Sequence, residues 1–66
     1  MDIPKMVRKA LYESRLSQQK MADKIGRSRE SVCSWCNGHT APDANDIINM
    51  GKVCCVKFSI MAKWGE

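Results

Sequence analysis

The chain has 66 residues and a formal net charge of +4, with 11 Lys and Arg residues against 7 Asp and Glu residues. From this length we expect one domain with a small core, over residues 1–66, and no separate catalytic or ligand-sensing domain. No apolar run approaches the roughly 18 residues that span a bilayer, and the start lacks the basic-then-apolar order of a signal peptide. We therefore expect no membrane contact and a cytoplasmic location.

The first predicted helix begins near Pro4 and ends near residues 14–15. Proline suits a first helical turn, because the amide that it lacks would have no partner there. Apolar residues fall on one face of this helix, at the spacing i, i+4, i+7 and i+8: Ile3, Val7, Ala10 and Leu11. Lys5, Arg8 and Lys9 lie off this face, so we expect them in solvent, where they could attract a polyanion at long range.

The second predicted helix runs from Gln18 to Ile25, with the Ser17 hydroxyl as its N-cap. Residues at i, i+1 and i+4 share its inner face: Met21, Ala22 and Ile25. Ala22 is small enough for another helix to cross closely. Gly26 then lets the chain leave the helix in the left-handed conformation, which other residues adopt at a cost. The sequence therefore predicts a tight turn after this helix.

Ser28 is the predicted N-cap of a third helix, which covers residues 29–36 and stops at residues 37–38. Val32 and Trp35 lie three residues apart on one face, so they should pack against the second helix. The remaining residues form the outward face or its flanks: Arg29, Glu30, Cys33, Ser34 and Asn37.

A fourth helix is predicted over residues 44–53, after a loop at residues 39–42 and with Asp43 as its N-cap. It should bury the following residues: Ile47, Ile48 and either Gly51 or Cys54. A short fifth helix is predicted over residues 59–64. The run at residues 53–58 has β character, so a strand is an alternative there, although no Asn-Gly or Asp-Gly turn divides the tail into two strands. The favoured fold class is all-α.

The segment from Leu16 to Gly38 resembles the helix-turn-helix of the lambdoid phage repressor and Cro family. The residues that carry this resemblance are Leu16, Ser17, Gln18, Ala22, Gly26, Val32, Trp35, Asn37 and Gly38. Residues 59–66 also resemble the short last helix and the Gly-Glu ending common in that family. The resemblance implies a compact five-helix DNA-binding domain, in which the second and third helices form the helix-turn-helix.

The resemblance further implies a sequence-specific transcriptional regulator of double-stranded DNA, closest to a Cro-type repressor of phage or prokaryotic origin. In such a protein the third helix enters the major groove, and a dimer binds a palindromic operator. Candidate base contacts lie on the third helix: Arg29, Glu30, Cys33 and Ser34. Candidate contacts to the DNA backbone lie around the starts of the second and third helices and after the third helix: Gln18, Arg27, Ser28, Asn37, His39 and Thr40.

The residue types at these positions fit particular groups of DNA. Arg29 can donate two hydrogen bonds to guanine, and Glu30 can accept one from cytosine or orient Arg29 through an ion pair. Ser34 suits either kind of base edge, and Cys33 offers an apolar contact for a thymine methyl group. The start of the second helix favours a phosphate, and the resemblance implies that Gln18 clamps one.

The positive excess lies entirely in the half of the chain that carries this motif. Residues 1–38 hold eight cations and four anions, which leaves +4, whereas residues 39–66 hold three of each and are neutral. A polyanion is therefore the expected partner of the first half. The second half supplies the candidate interface of a weak homodimer that DNA strengthens: Met50, Val56, Phe58, Met61 and Trp64. The alternative is that these side chains complete the core.

The four cysteines suggest either a metal site or reduced thiols. Cys33 and Cys36 have the spacing of zinc ligands, and His39 could supply a third ligand. Cys54 and Cys55 are adjacent, however, and their side chains diverge. We therefore favour reduced thiols that pack as small apolar groups, with no metal and no other cofactor.

Other functions are also compatible with the sequence. An antitoxin of the same fold would bind DNA and also mask a toxin protein. A small helical interaction module or metal-binding module would not bind DNA. Catalysis is not expected, because the chain has a single histidine and offers no Ser-His, Cys-His or paired-carboxylate arrangement. No small-molecule substrate is implied.

Overall fold

The computed structural model describes residues 2–66, which form five helices. They are α1 (Ile3–Ser14), α2 (Gln18–Ile25), α3 (Arg29–Asn37), α4 (Ala44–Cys54) and α5 (Phe58–Trp64). No strand occurs between residues 2 and 66, so the all-α prediction is confirmed for this range. None of the helices in it combines the length and the apolar character that crossing a membrane requires. The predicted domain also includes Met1, which lies outside the described residues.

The helix starts follow from local side-chain chemistry. Ser17, Ser28 and Asp43 each accept a hydrogen bond from the backbone amide three residues later, at 3.2, 3.2 and 2.9 Å. These bonds satisfy amides that have no partner inside a helix, and they confirm the predicted starts of α2, α3 and α4. Asp2 caps α1 in the same way at 3.1 Å, and Pro4 lies in the first turn as predicted.

The ends of α2, α3 and α4 depend on left-handed residues. Gly26 and Gly38 end α2 and α3 with φ angles of 74° and 79°, as their positions predict. At the end of α4 the left-handed residue is Cys55, with a φ of 58°. The strand considered for residues 53–58 therefore does not form. The helix boundaries are shifted by one residue from those predicted, because α3, α4 and α5 also include Asn37, Cys54 and Phe58.

The core receives side chains from every helix. Its buried apolar residues are Met6, Val7, Ala10, Met21, Ala22, Ile25, Val32, Trp35, Cys36, Met50 and Met61. Trp35 is the largest of these side chains and is only 2% exposed. Full burial of one large apolar side chain contributes about 1.5 to 3 kcal/mol, so the core of this small chain depends strongly on α3.

The prediction that Ile48 is buried is wrong, because its side chain is 49% exposed. The buried residues of α4 are Asp46, Met50 and Gly51, which face the interior of the protein. A helix turns by about 100° per residue, so Ile48 points away from the direction that these residues share. Ile47 is half-buried against the core, as predicted.

The prediction that Met50 and Met61 lie at a dimer interface is also wrong. Both side chains are 0% exposed within the single chain, so a second copy cannot reach them. They belong to the core where α4 and α5 meet. Gly51 permits this close approach, because a Cβ atom there would lie 3.1 Å from Met61 Sδ and 3.1 Å from the Val56 carbonyl oxygen.

Candidate nucleic-acid interface

Helices α2 and α3 pack against each other across the short turn at residues 26–28. On α2, Ala22 is 0% exposed, and on α3 the buried residues include Val32 and Trp35. The turn is short because Gly26 leaves α2 in the left-handed conformation and Ser28 caps α3 two residues later. One face of α3 is thereby fixed in the core, and the opposite face is left outward.

The outward face of α3 collects the predicted base-contacting residues. Arg29 and Glu30 are exposed in its first turn, and Cys33 and Ser34 follow one turn later as half-buried residues. Asn37 is exposed at the end of the same face. The spacing i, i+1, i+4, i+5 and i+8 aligns these side chains along the helix.

Two of these side chains are free to make new contacts. Within residues 2–66, Arg29 and Glu30 form neither a side-chain hydrogen bond nor an ion pair. The ion pair considered between them is therefore not present in this range. Their charged groups stand at the leading end of α3, where they carry no structural role that the described contacts reveal.

The last turn of α3 is tied to the loop that follows it. Thr40 donates a hydrogen bond to the Ser34 hydroxyl at 2.8 Å, and the amide of His39 donates to the Ser34 carbonyl oxygen at 3.0 Å. Asn37 donates from its side chain to Cys33 Sγ at 3.4 Å. Hydrogen bonds thus link the last turn of α3 to the residues predicted to contact the DNA backbone after it, Asn37, His39 and Thr40.

Arg27 has a structural role that the sequence did not reveal. Its Nε lies 3.3 Å from the Asp46 carboxylate, and its guanidinium stands 5.8 Å from the centre of the Trp35 ring. The other Asp46 oxygen accepts from the Asp43 amide at 3.3 Å, which completes a capping box at the start of α4. The Asp-x-x-Asp spacing could have indicated the capping box, but no local signal indicates the ion pair. The Arg27 guanidinium therefore already has contacts within the chain, through its Nε atom and the Trp35 ring.

The C-terminal end of α3 lies under α1. Arg8 donates from Nη1 to the Cys36 carbonyl oxygen at 2.6 Å, where the negative end of a helix dipole favours a cation. Arg8 is therefore not merely solvated, contrary to the expectation for it. Burial raises the pKa of the Cys36 thiol, and the neighbouring Cys33 raises it further. Arg8 and Gln18 lower that pKa, so the half-buried Gln18 side chain stands beside this end of α3.

The predicted dimer residues lie in three different places. Met50 and Met61 are in the core, as described above. Val56 and Phe58 line a groove between α4 and α5, which Ile48 also lines. Trp64 instead lines a depression between α1 and α5, together with the cations Lys5, Arg8, Lys9 and Lys63. Phe58 is 53% exposed, and Ile48 and Ile60 are exposed as well.

The cysteines do not form a metal cluster within the described range. Across residues 2–66, no three His, Cys, Asp or Glu side chains come together in a way that could hold a metal ion. All four cysteines are free thiols, with Cys33 and Cys36 on α3 and Cys54 and Cys55 at the end of α4.

Comparison of the chain with protein-family models, with curated proteins and with solved structures finds no match.

Proposed function

We propose that this chain is a sequence-specific, double-stranded DNA-binding transcriptional regulator of the Cro type. In this proposal α2 and α3 act as a helix-turn-helix, and α3 enters the major groove of an operator. The observation that carries the proposal is the division of α3 into two faces. Val32 and Trp35 anchor one face in the core, and the exposed face and its flank present Glu30 and Arg29 without described partners.

The outward face has suitable chemistry for base edges. Arg29 is the first residue of α3, where a guanidinium can donate two hydrogen bonds to the O6 and N7 atoms of guanine. Glu30 would accept a hydrogen bond from cytosine N4. Ser34 and Cys33 would face the next bases, as a hydroxyl and a small apolar group. The contact between Thr40 and Ser34 would hold the serine hydroxyl in place.

The proposed backbone contacts surround this face. Gln18 is the first residue of α2, and Ser28 is the N-cap of α3. Helix starts of this kind favour phosphate, because their free amides and the helix dipole attract an anion. Asn37, His39 and Thr40 are exposed beyond the other end of α3. Arg27 would use the guanidinium nitrogens that Asp46 leaves free.

The proposed dimer would form through the groove between α4 and α5. Phe58, Ile48 and Ile60 are exposed there or beside it, and apolar side chains of this size gain most from a partner that covers them. Val56 would contribute its half-buried side chain. The exposed area is small, so the dimer would be weak in solution and strengthened by an operator that binds two copies. Trp64 would lie outside this contact.

A titration of labelled duplex DNA tests the proposal. The duplex is first enriched from a random library, and its binding is followed by fluorescence anisotropy at several salt concentrations. Affinity should fall steeply with salt, because each neutralised phosphate releases counterions. Arg29→Ala should weaken binding by about 1 to 3 kcal/mol, the value of a good base contact.

Lys63→Ala is the matched control, since it removes the same charge from the exposed side of α5. This control should cause a smaller loss than Arg29→Ala. An affinity that responds neither to salt nor to Arg29→Ala would rule out DNA binding through α3.

A further inference from the structure

We propose that Cys33 and Cys36 form a reversible disulfide that switches off the DNA-binding face of α3. This inference rests on the proposed function, because it concerns the regulation of the same helix. The two thiols are free and lie one helical turn apart. Cys33 is half-buried on the outward face, whereas Cys36 is 5% exposed and lies in the core.

The helix places the two cysteines almost within bonding distance. Helical residues at i and i+3 have Cα atoms about 5 Å apart, inside the range of about 4.4 to 6.8 Å that disulfides span. Their Cβ atoms are about 5 to 6 Å apart, against about 3.5 to 4.5 Å in a disulfide. The bond is therefore reachable within one turn, but only if that turn moves by about 1 Å.

The surroundings of the two thiols give them different roles. Cys33 Sγ lies on the outward face, where an oxidant can reach it, and accepts a hydrogen bond from the Asn37 side chain at 3.4 Å. Burial raises the pKa of the Cys36 thiol and keeps it protonated. Oxidation thus begins at Cys33, and Cys36 is the second thiol of the pair.

A hydroperoxide is the oxidant in this scheme, and hydrogen peroxide is the simplest example. The Cys33 thiolate attacks one peroxide oxygen, the O–O bond breaks, and Cys33 becomes a sulfenic acid while hydroxide leaves and takes up a proton. The Cys36 sulfur then attacks the Cys33 sulfur, and water leaves with the Cys36 proton. The two thiols together lose two electrons, and one hydrogen peroxide molecule is reduced to two water molecules. A thiol reductant restores both cysteines by exchange.

The new bond would disturb both faces of α3. Ser34 and Trp35 lie between the two cysteines, one on the outward face and one in the core. Their carbonyl oxygens accept the cap hydrogen bonds that end α3, from His39 at 3.0 Å and from Gly38 at 3.3 Å. Contraction of this turn would displace Ser34 and strain the cap. A strained disulfide is also more easily reduced, which makes the change reversible.

The second pair of cysteines provides an internal control. Cys54 donates from its thiol to the Ala10 carbonyl oxygen at 3.4 Å, and Cys55 is exposed at the end of α4. Trypsin separates the two pairs, because it cleaves after Arg29, Lys52 and Lys57. The fragment 30–52 carries Cys33 and Cys36, and the fragment 53–57 carries the other two.

The experiment treats the full chain with hydrogen peroxide, removes the peroxide with catalase and blocks the remaining thiols with an alkylating reagent. Mass spectrometry should show fragment 30–52 lighter by two hydrogen atoms and unalkylated. Affinity for the selected duplex should fall about tenfold or more, the effect of losing one good base contact, and a thiol reductant should restore it. Cys55→Ser should leave this response intact.

Cys36→Ala should abolish the response to peroxide, with circular dichroism as the check on its folding. If this buried variant unfolds, Cys33→Ser serves instead, and its oxidised sample is compared only with its own reduced sample. An unbonded fragment 30–52, unchanged affinity after the bond has formed, or continued sensitivity of folded Cys36→Ala would each overturn the switch. If the reduced protein binds no duplex while the bond forms, the DNA-binding proposal fails and the thiol pair stands as an oxidation site.

Discussion

Asp46 is a buried charge whose two carboxylate oxygens are both in use. One oxygen meets Arg27 at 3.3 Å, and the other closes the capping box with Asp43 at 3.3 Å. A buried carboxylate is tolerated when its lone pairs are satisfied in this way. Because Arg27 lies in the turn before α3, the carboxylate links that turn to the start of α4.

Asp46→Ala should therefore lower the free energy of unfolding by about 1 to 3 kcal/mol, since it removes the reciprocal bond of the capping box and leaves Arg27 without its partner. Urea denaturation followed by circular dichroism measures the change. Asp23→Ala is the control, because Asp23 is exposed and holds only a surface hydrogen bond from Gln19 at 2.9 Å. The control should change stability by at most about 0.5 kcal/mol. Equal losses in the two variants would contradict the role assigned to Asp46.

At the residue scale, local chemistry could be predicted and distant pairing could not. Ser17, Ser28 and Asp43 were identifiable as caps because each bonds an amide three residues away. The pairing of Arg27 with Asp46 depends on how α4 docks against the turn, and a single sequence carries no signal for that. The exposed position of Glu30 could be predicted, because the helical repeat assigns it to the face opposite Val32. Arg29 lies on the flank of that face, in the exposed first turn of α3.

At the scale of the elements, the two left-handed glycines differ in their surroundings. Gly26 has open space where a side chain would begin, with nothing within 4 Å. At Gly38 a Cβ atom would lie 3.3 Å from the Pro4 ring. The end of α3 is thus fitted against the start of α1, whereas the end of α2 faces open space.

Gly38→Ala should consequently destabilise the protein more than Gly26→Ala. Each substitution puts a Cβ atom into the left-handed conformation, at a cost of about 1 to 2 kcal/mol. Only the first also forces Pro4 to move. Thermal unfolding of the two variants gives the comparison, and a loss in Gly26→Ala that equals or exceeds the loss in Gly38→Ala would contradict the fitted contact.

Element positions could be predicted more fully than the faces they present. The starts of α2, α3 and α4 follow from caps and periodicity, and the boundaries differ from prediction only by single residues. Ile48 is predicted to be buried, but the buried residues of α4 turn another side of the helix inward. Such a face is decided by the helices packed against it, here α1, α2 and α5.

At the scale of the whole molecule, some apolar residues of the second half of the chain are buried in the core and others are exposed on the surface. Met50 and Met61 fill the contact between α4 and α5, and a core this small has few other large side chains. Phe58 is the apolar residue of the predicted set that remains substantially exposed. Sequence alone could not separate these two groups, because both lie in apolar positions of short helices.

Phe58→Ala should weaken self-association and operator binding while it leaves the single chain folded. Sedimentation equilibrium measures the first effect and duplex titration the second. Tyr12→Ala is the matched control, because Tyr12 is an exposed aromatic residue on α1, away from the groove, and is 76% exposed. Equal self-association of Phe58→Ala and the unaltered protein would remove the groove from the proposed dimer.

The proposed function requires that α3 reads a specific DNA sequence in a two-fold arrangement. Repeated selection of bound duplexes from a random library, followed by sequencing, tests it most directly. We expect enrichment of a palindrome whose half-sites lie about 10 to 10.5 base pairs apart, centre to centre, or a multiple of that spacing. A library that stays random after repeated rounds with folded, reduced protein would contradict it.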